Sequence, residues 1–93
     1  MIPKKVKEKV WERDGHRCVG CGRWAPADWA CAHYIARSQG GLGIEKNILT
    51  LCPECHYSYD NGVERRELKE VYGEYLKRFY GDLEGLTYRK GFL

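Results

Sequence analysis

Ninety-three residues, 43% of them hydrophobic and 31% charged, suffice for one small globular domain and exclude a disordered chain. Sixteen Lys and Arg against thirteen Asp and Glu leave a net charge of +3, which permits nucleic-acid binding only if the basic groups gather on one face. No apolar run approaches the roughly 20 residues that cross a bilayer, and Met1-Ile-Pro-Lys-Lys-Val lacks an apolar h-region, so the expectation is a cytoplasmic protein with reduced cysteines.

Pro3 suits a first helical turn, and Val6 and Val10 at i, i+4 predict a short amphipathic helix over 3–13, ended by Asp14-Gly15. Cys18-Val-Gly-Cys21-Gly reads as a tight knuckle. Residues 23–30 read as loop, with Trp24 and Trp29 as packing anchors. Cys31-Ala-His-Tyr-Ile-Ala36 predicts one strand and residues 44–51 a second, joined as an antiparallel hairpin across a polar, glycine-rich connection. A second knuckle, Cys52-Pro-Glu-Cys55, starts a helical turn that carries His56 and Asp60 before Asn61-Gly62. From about 63 to 80, Leu68, Val71, Tyr72, Tyr75, Leu76 and Phe79 repeat at helical spacing and predict a core-facing stripe. The segment after Gly81 carries no periodic signal, and oligomeric state is not encoded in these patterns.

A domain this small gains from a covalent or metal staple. Two Cys-x2-Cys turns supply four thiolates, the shell zinc prefers, so Cys18, Cys21, Cys52 and Cys55 are expected to hold structural zinc. An iron–sulfur cluster accepts the same ligands, and a redox dithiol is the other rival. A four-thiolate shell leaves no open position for substrate. Cys31, left over in an apolar strand, is expected to pack as a small hydrophobe.

Reactive chemistry is sought in His33, Asn47, His56 and Asp60. His56 and Asp60 at i, i+4 share one helical face and so can share a metal ion; His33 arrives beside them if the hairpin packs on that helix. A histidine near a divalent metal and a phosphodiester can act as general base on water. Asn47 has no ionisable group, so its natural work is to hydrogen-bond the loop.

The run Val10-Trp-Glu-Arg13-Asp14-Gly-His-Arg-Cys18-Val-Gly-Cys21-Gly, then Ala32-His33-Tyr-Ile, Gly40-Gly41, Asn47-Ile-Leu-Thr-Leu51-Cys52 and Cys55-His56, resembles an HNH endonuclease. The resemblance covers about residues 6–62, and Tyr59-Asp60-Asn61-Gly62 adds similarity to small bacteriophage and prophage members. It implies a small α+β fold: a ββα-metal (His-Me finger) core with a four-cysteine structural zinc and flanking N- and C-terminal helices. It implies a metal-dependent DNA endonuclease in which His33 is the base, Asn47 fixes the loop and His56 binds a catalytic Mg²⁺, Mn²⁺ or similar ion. Asp60 matches the place where some members supply another ligand. A phage setting implies DNA packaging beside a terminase. Many members place a metal ligand just before the base, where this chain has Ala32; the shell would then be His56, Asp60, water and phosphate oxygens. Arg37 is the first candidate to grip a phosphate, with Arg13, Arg17 and Lys46 nearby in sequence. The contrasting expectation is a non-catalytic, zinc-stabilised module that binds DNA or protein; an oxidoreductase built on the cysteine pairs is a third.

Overall fold

Pro3, extended at φ −60° and ψ 148°, leads into helix α1 (Lys4–Arg13), whose buried contact is Val10. In the computed structural model, which describes residues 2–87, α1 is followed by the first cysteine turn and strand β1 (Ala30–His33). Strand β2 (Ile48–Thr50), helix α2 (Pro53–Asn61) and helix α3 (Arg65–Tyr80) complete the order. Met1 and residues 88–93 lie outside the described residues.

β1 and β2 pair antiparallel, Ala30 with Thr50, Ala32 with Leu49 and His33 with Ile48. The register slips between Ala30 and Ala32, so Cys31 is the extra residue of a bulge, a device that re-aims the side chains beyond it. All three residues of β2 are buried, because the hairpin has cover on both faces. Val10, Ala30 and Ile48 pack together with Val6 and Trp11 of α1. Ala32, Leu49, Leu51, Tyr59, Tyr72 and Leu76 form the larger cluster against α2 and α3. That double cover is why Ile48-Leu-Thr-Leu51 is a nearly unbroken apolar run and not an alternating one.

Several expectations need correction. Both strands are shorter than predicted: β1 stops at His33, and Glu45–Asn47 is a single 3-10 turn preceding β2. Asn47 is the cause. Its backbone carbonyl accepts from the Tyr34 N–H at 2.8 Å, but at Ile35 its side chain takes over from the ladder. Trp24 is no packing anchor, being 64% exposed; its neighbour Ala25 is fully buried and accepts from Trp11 Nε1 at 2.7 Å. Successive residues of an extended segment face opposite ways, and here the small one goes in. Trp29 does pack against the larger cluster.

The α3 stripe is also rotated. Tyr72, Gly73 and Leu76 are buried, while Val71 is 59% and Phe79 49% exposed. At roughly 100° per residue, Val71 stands about 140° from Leu76 and faces out. Beyond α3 the chain returns to the connection: Leu86 is buried, its carbonyl accepts from the Leu42 N–H at 2.9 Å, and Thr87 bridges to Gly41. Gly41 is needed there, since a Cβ would stand 1.7 Å from the Ile35 carbonyl oxygen.

Candidate metal centre and active-site cleft

The two cysteine turns converge. One sulfur from each of Cys18, Cys21, Cys52 and Cys55 lies within 4.8 Å of the others, and Cys21 and Cys52 Sγ are 3.9 Å apart. Four thiolates at the usual zinc–sulfur length of about 2.3 Å sit roughly 3.8 Å from one another, so the residues fit a tetrahedral zinc. Backbone N–H groups aim at the sulfurs: Cys21 and Cys52 donate to Cys18 Sγ at 3.4 and 3.3 Å, and Cys55 donates to Cys52 Sγ at 3.4 Å. Cys52 is also the N-cap of α2, where the helix dipole favours negative charge. Gly20 permits the approach, because a Cβ would stand 2.8 Å from Cys55 Sγ and 2.7 Å from the Tyr72 hydroxyl.

The four thiols are electrostatically unequal. Hydrogen bonds from the Arg23 backbone N–H and then from its guanidinium pull exposed Cys21 down to about 6. Burial, then the neighbouring sulfurs, push Cys55 up. Crowded thiols resist ionising together, and a bound dication is the natural way to hold all four as thiolates.

The second centre is a cleft of about 450 Å³ lined by His33, Ala36, Arg37, Ser38, Gln39, His56, Asp60 and Arg65. β1 brings His33 to it, and α2 brings His56 and Asp60, whose Nε2 and Oδ2 lie 3.2 Å apart. These two offer a nitrogen and a carboxylate oxygen on one open face, a donor set suited to a hard divalent cation that keeps waters. His33 is lowered from the ordinary imidazole value, first by burial and then by the Arg37 charge, which favours the neutral, proton-accepting form. Ala32 is fully buried in the core and adds nothing to the cleft.

Two buried residues hold the cleft's parts in register. Asn47 accepts from the Ile35 N–H at 2.8 Å and donates through Nδ2 to the carbonyls of Ile35 and Leu42 at 3.1 and 2.9 Å. All three of these side-chain hydrogen bonds go into the connection that carries Arg37. Tyr59 donates its hydroxyl to the Tyr34 carbonyl at 2.7 Å, tying the helix of His56 and Asp60 to the residue after His33.

The expected phosphate-binding residues separate. Arg37 lines the cleft. Arg17 instead donates to the Gly22 carbonyl, and Lys46 pairs with Asp82 at 2.5 Å and donates to the Glu84 carbonyl; neither lines it. Arg13 is not a surface cation at all, for its side chain is 7% exposed and engaged with Asp14. Cys31 is not core: it is half-buried and walls a hollow next to the cleft with His33 and His56. The strand's alternation, i and i+2 from Cys31 to His33, was the signal for that. Tyr59 and Arg65 were missed because only the packing of α2 and α3 gives them their positions.

The family model described as HNH endonuclease matches residues 18–62. A curated relative, Anaredoxin of Nostoc sp. (strain PCC 7120 / SAG 25.82 / UTEX 2576), is 33% identical over 60 residues, covering 63% of this chain and 76% of that protein. The matched span opens on the first cysteine of the cluster and closes just past Asp60. It takes in the hairpin, both cysteine turns and most of the cleft, and the chain belongs to the HNH endonuclease family.

Proposed function

We propose that this protein is a metal-dependent endonuclease that hydrolyses phosphodiester bonds in DNA, with structural zinc at the four cysteines. The observation that carries the reading is the cleft itself, where a half-buried neutral-leaning histidine faces a His–Asp pair across a space walled by arginine. His33 takes the proton of a water whose oxygen attacks phosphorus; the bond to the leaving sugar oxygen breaks, that oxygen takes a proton from solvent water, and His33 returns its own proton to solvent. Arg37 holds a non-bridging phosphate oxygen, and Asn47 keeps Arg37's loop in place. A divalent cation at His56 and Asp60 would supply charge compensation for the leaving oxygen. Phage genome packaging beside a terminase is the setting the sequence resemblance suggests.

Plasmid nicking with a panel of divalent metals tests this. His33→Ala should lower the rate about 10²- to 10⁴-fold, the usual worth of a positioned general base, with zinc content and melting unchanged. Cleavage that is equal in wild type and variant and insensitive to chelator would belong to a contaminant and sink the catalytic claim.

The pH profile is a separate expectation. The base works when neutral, and its folded-state value lies below the ordinary imidazole value of about 6.5, so activity should persist below that pH before its acid limb falls. Arg37→Ala removes a nearby positive charge and should move the limb to higher pH. A limb that stays put or moves lower would show that Arg37 does not act on His33.

A second reading, thiol–disulfide chemistry, draws on exposed Cys21, held at about 6, and on similarity to a protein named Anaredoxin. Against it, all four sulfurs share one cluster. Resistance of the thiols to alkylation until a chelator is added would exclude it.

A further inference from the structure

The cleft does not end at the histidines. A second hollow of about 510 Å³, lined by Ile2, Lys7, Cys31, His33, Arg37 and His56, shares His33, Arg37 and His56 with the first. The two hollows therefore adjoin across the reactive centre, with Lys7 of α1 on one side only and Arg65 of α3 on the other only. Both cations lie outside the span matched by the family model, residues 18–62.

Neither is tied up by a strong ion pair among the described residues. Arg65's guanidinium carbon stands 5.4 Å from the ring centroid of fully buried Tyr59, and the guanidinium makes no ion pair among the described residues. Lys7 has a partner, Asp28, at 3.8 Å, but that carboxylate is 95% exposed, and such pairs contribute little. Among the described residues lining the two hollows the one acidic side chain is Asp60, which walls the first hollow and is already engaged with His56. Three cations, Lys7, Arg37 and Arg65, thus face one carboxylate along the trough.

We propose that Lys7 and Arg65 bind the backbone phosphates on either side of the bond that is cut, so that a DNA strand runs lengthwise from α1 to α3 past His33. This rests on the nuclease reading for the identity of the strand and adds its path. Contacts of this kind position the substrate and are blind to sequence, because they read phosphate and not base edges.

Binding of a fluorescein-labelled duplex to the full chain carrying His33→Ala, followed by anisotropy across a salt series, tests the path without cleavage. Lys7→Ala and Arg65→Ala should each flatten the slope of log K against log salt by about 0.9, and together by about 1.8. Arg65→Met keeps a stem over Tyr59 and removes the charge, so it should match alanine, whereas Arg65→Lys should keep the parental slope. Arg78→Ala, exposed in the last turn of α3 and away from both hollows, is the comparison and should leave the slope unchanged. Slopes for Lys7 and Arg65 variants equal to that of Arg78→Ala, or no duplex binding, would overturn the path. Plasmid nicking separates the two ideas: cleavage with unmoved slopes rejects the path alone, and flattened slopes in a protein that never cuts reject the nuclease reading alone.

Discussion

Asp14→Ala should cost about 3–5 kcal/mol of stability, the range for breaking a buried ion pair from one side. The Asp14 side chain is fully buried, and four donors use its two oxygens. Arg13 Nε and Nη2 reach Oδ1 and Oδ2 at 2.7 and 3.0 Å, the Tyr75 hydroxyl reaches Oδ1 at 2.7 Å, and the Thr50 N–H reaches Oδ2 at 2.9 Å. Arg13 continues the network to the carbonyls of Ile48 and Glu45 at 2.7 and 2.8 Å. One carboxylate therefore joins the end of α1 to β2 and α3. Alanine would leave a guanidinium buried without its counter-charge and orphan a buried N–H. In a domain of this size the loss corresponds to roughly 12–25 °C in melting temperature. Urea unfolding of Arg13→Leu, Asp14→Ala and the double variant measures it. The double variant should lose less than the sum of the two, since no uncompensated charge remains. A single Asp14→Ala loss under 1 kcal/mol would refute the account.

Removing zinc should have the larger effect, leaving no folded state to measure. Apparent zinc-binding energies at four-ligand sites run to about 10–16 kcal/mol, as large as the whole stability of a typical domain. The cluster also ties distant parts together: Cys18 and Cys52 are buried in the core with Leu49, Leu51 and Tyr72, and Cys52 caps α2. Chelation, or Cys52→Ser, should abolish the cooperative melt followed by circular dichroism. Elemental measurement of the wild type should find about one zinc per chain, and Cys31→Ala should keep that zinc. A chelated protein that melts as before would show the cluster to be dispensable. Because His56 directly follows Cys55, loss of zinc should also end any cleavage.

Spacing made much of this legible in one dimension. The two Cys-x2-Cys turns need only a chain that bends at glycine or proline, so the cluster could be named before any fold was known. The α1 and α3 periodicities likewise report local geometry. His56 and Asp60, four apart, share a face on any helix. Segment ends were less legible: both strands are shorter than predicted, because the Asn47 side chain replaces ladder hydrogen bonds, and side-chain competition of that kind leaves no periodic trace.

What the sequence by itself determined was the family, the cysteine cluster and the residue types of the cleft, all written in local spacing. Only the tertiary structure decided which cations line the cleft and its neighbouring hollow. Arg13 and Lys46 look available in sequence, yet one is buried on Asp14 and the other paired with Asp82. Arg65 and Lys7, both outside the matched span of residues 18–62, line the hollows beside His33 because α1 covers one side of the hairpin while α3 follows α2 on the other. The reason is physical: a charge's role depends on its partners and its exposure, and both are set by contacts between residues far apart in the chain.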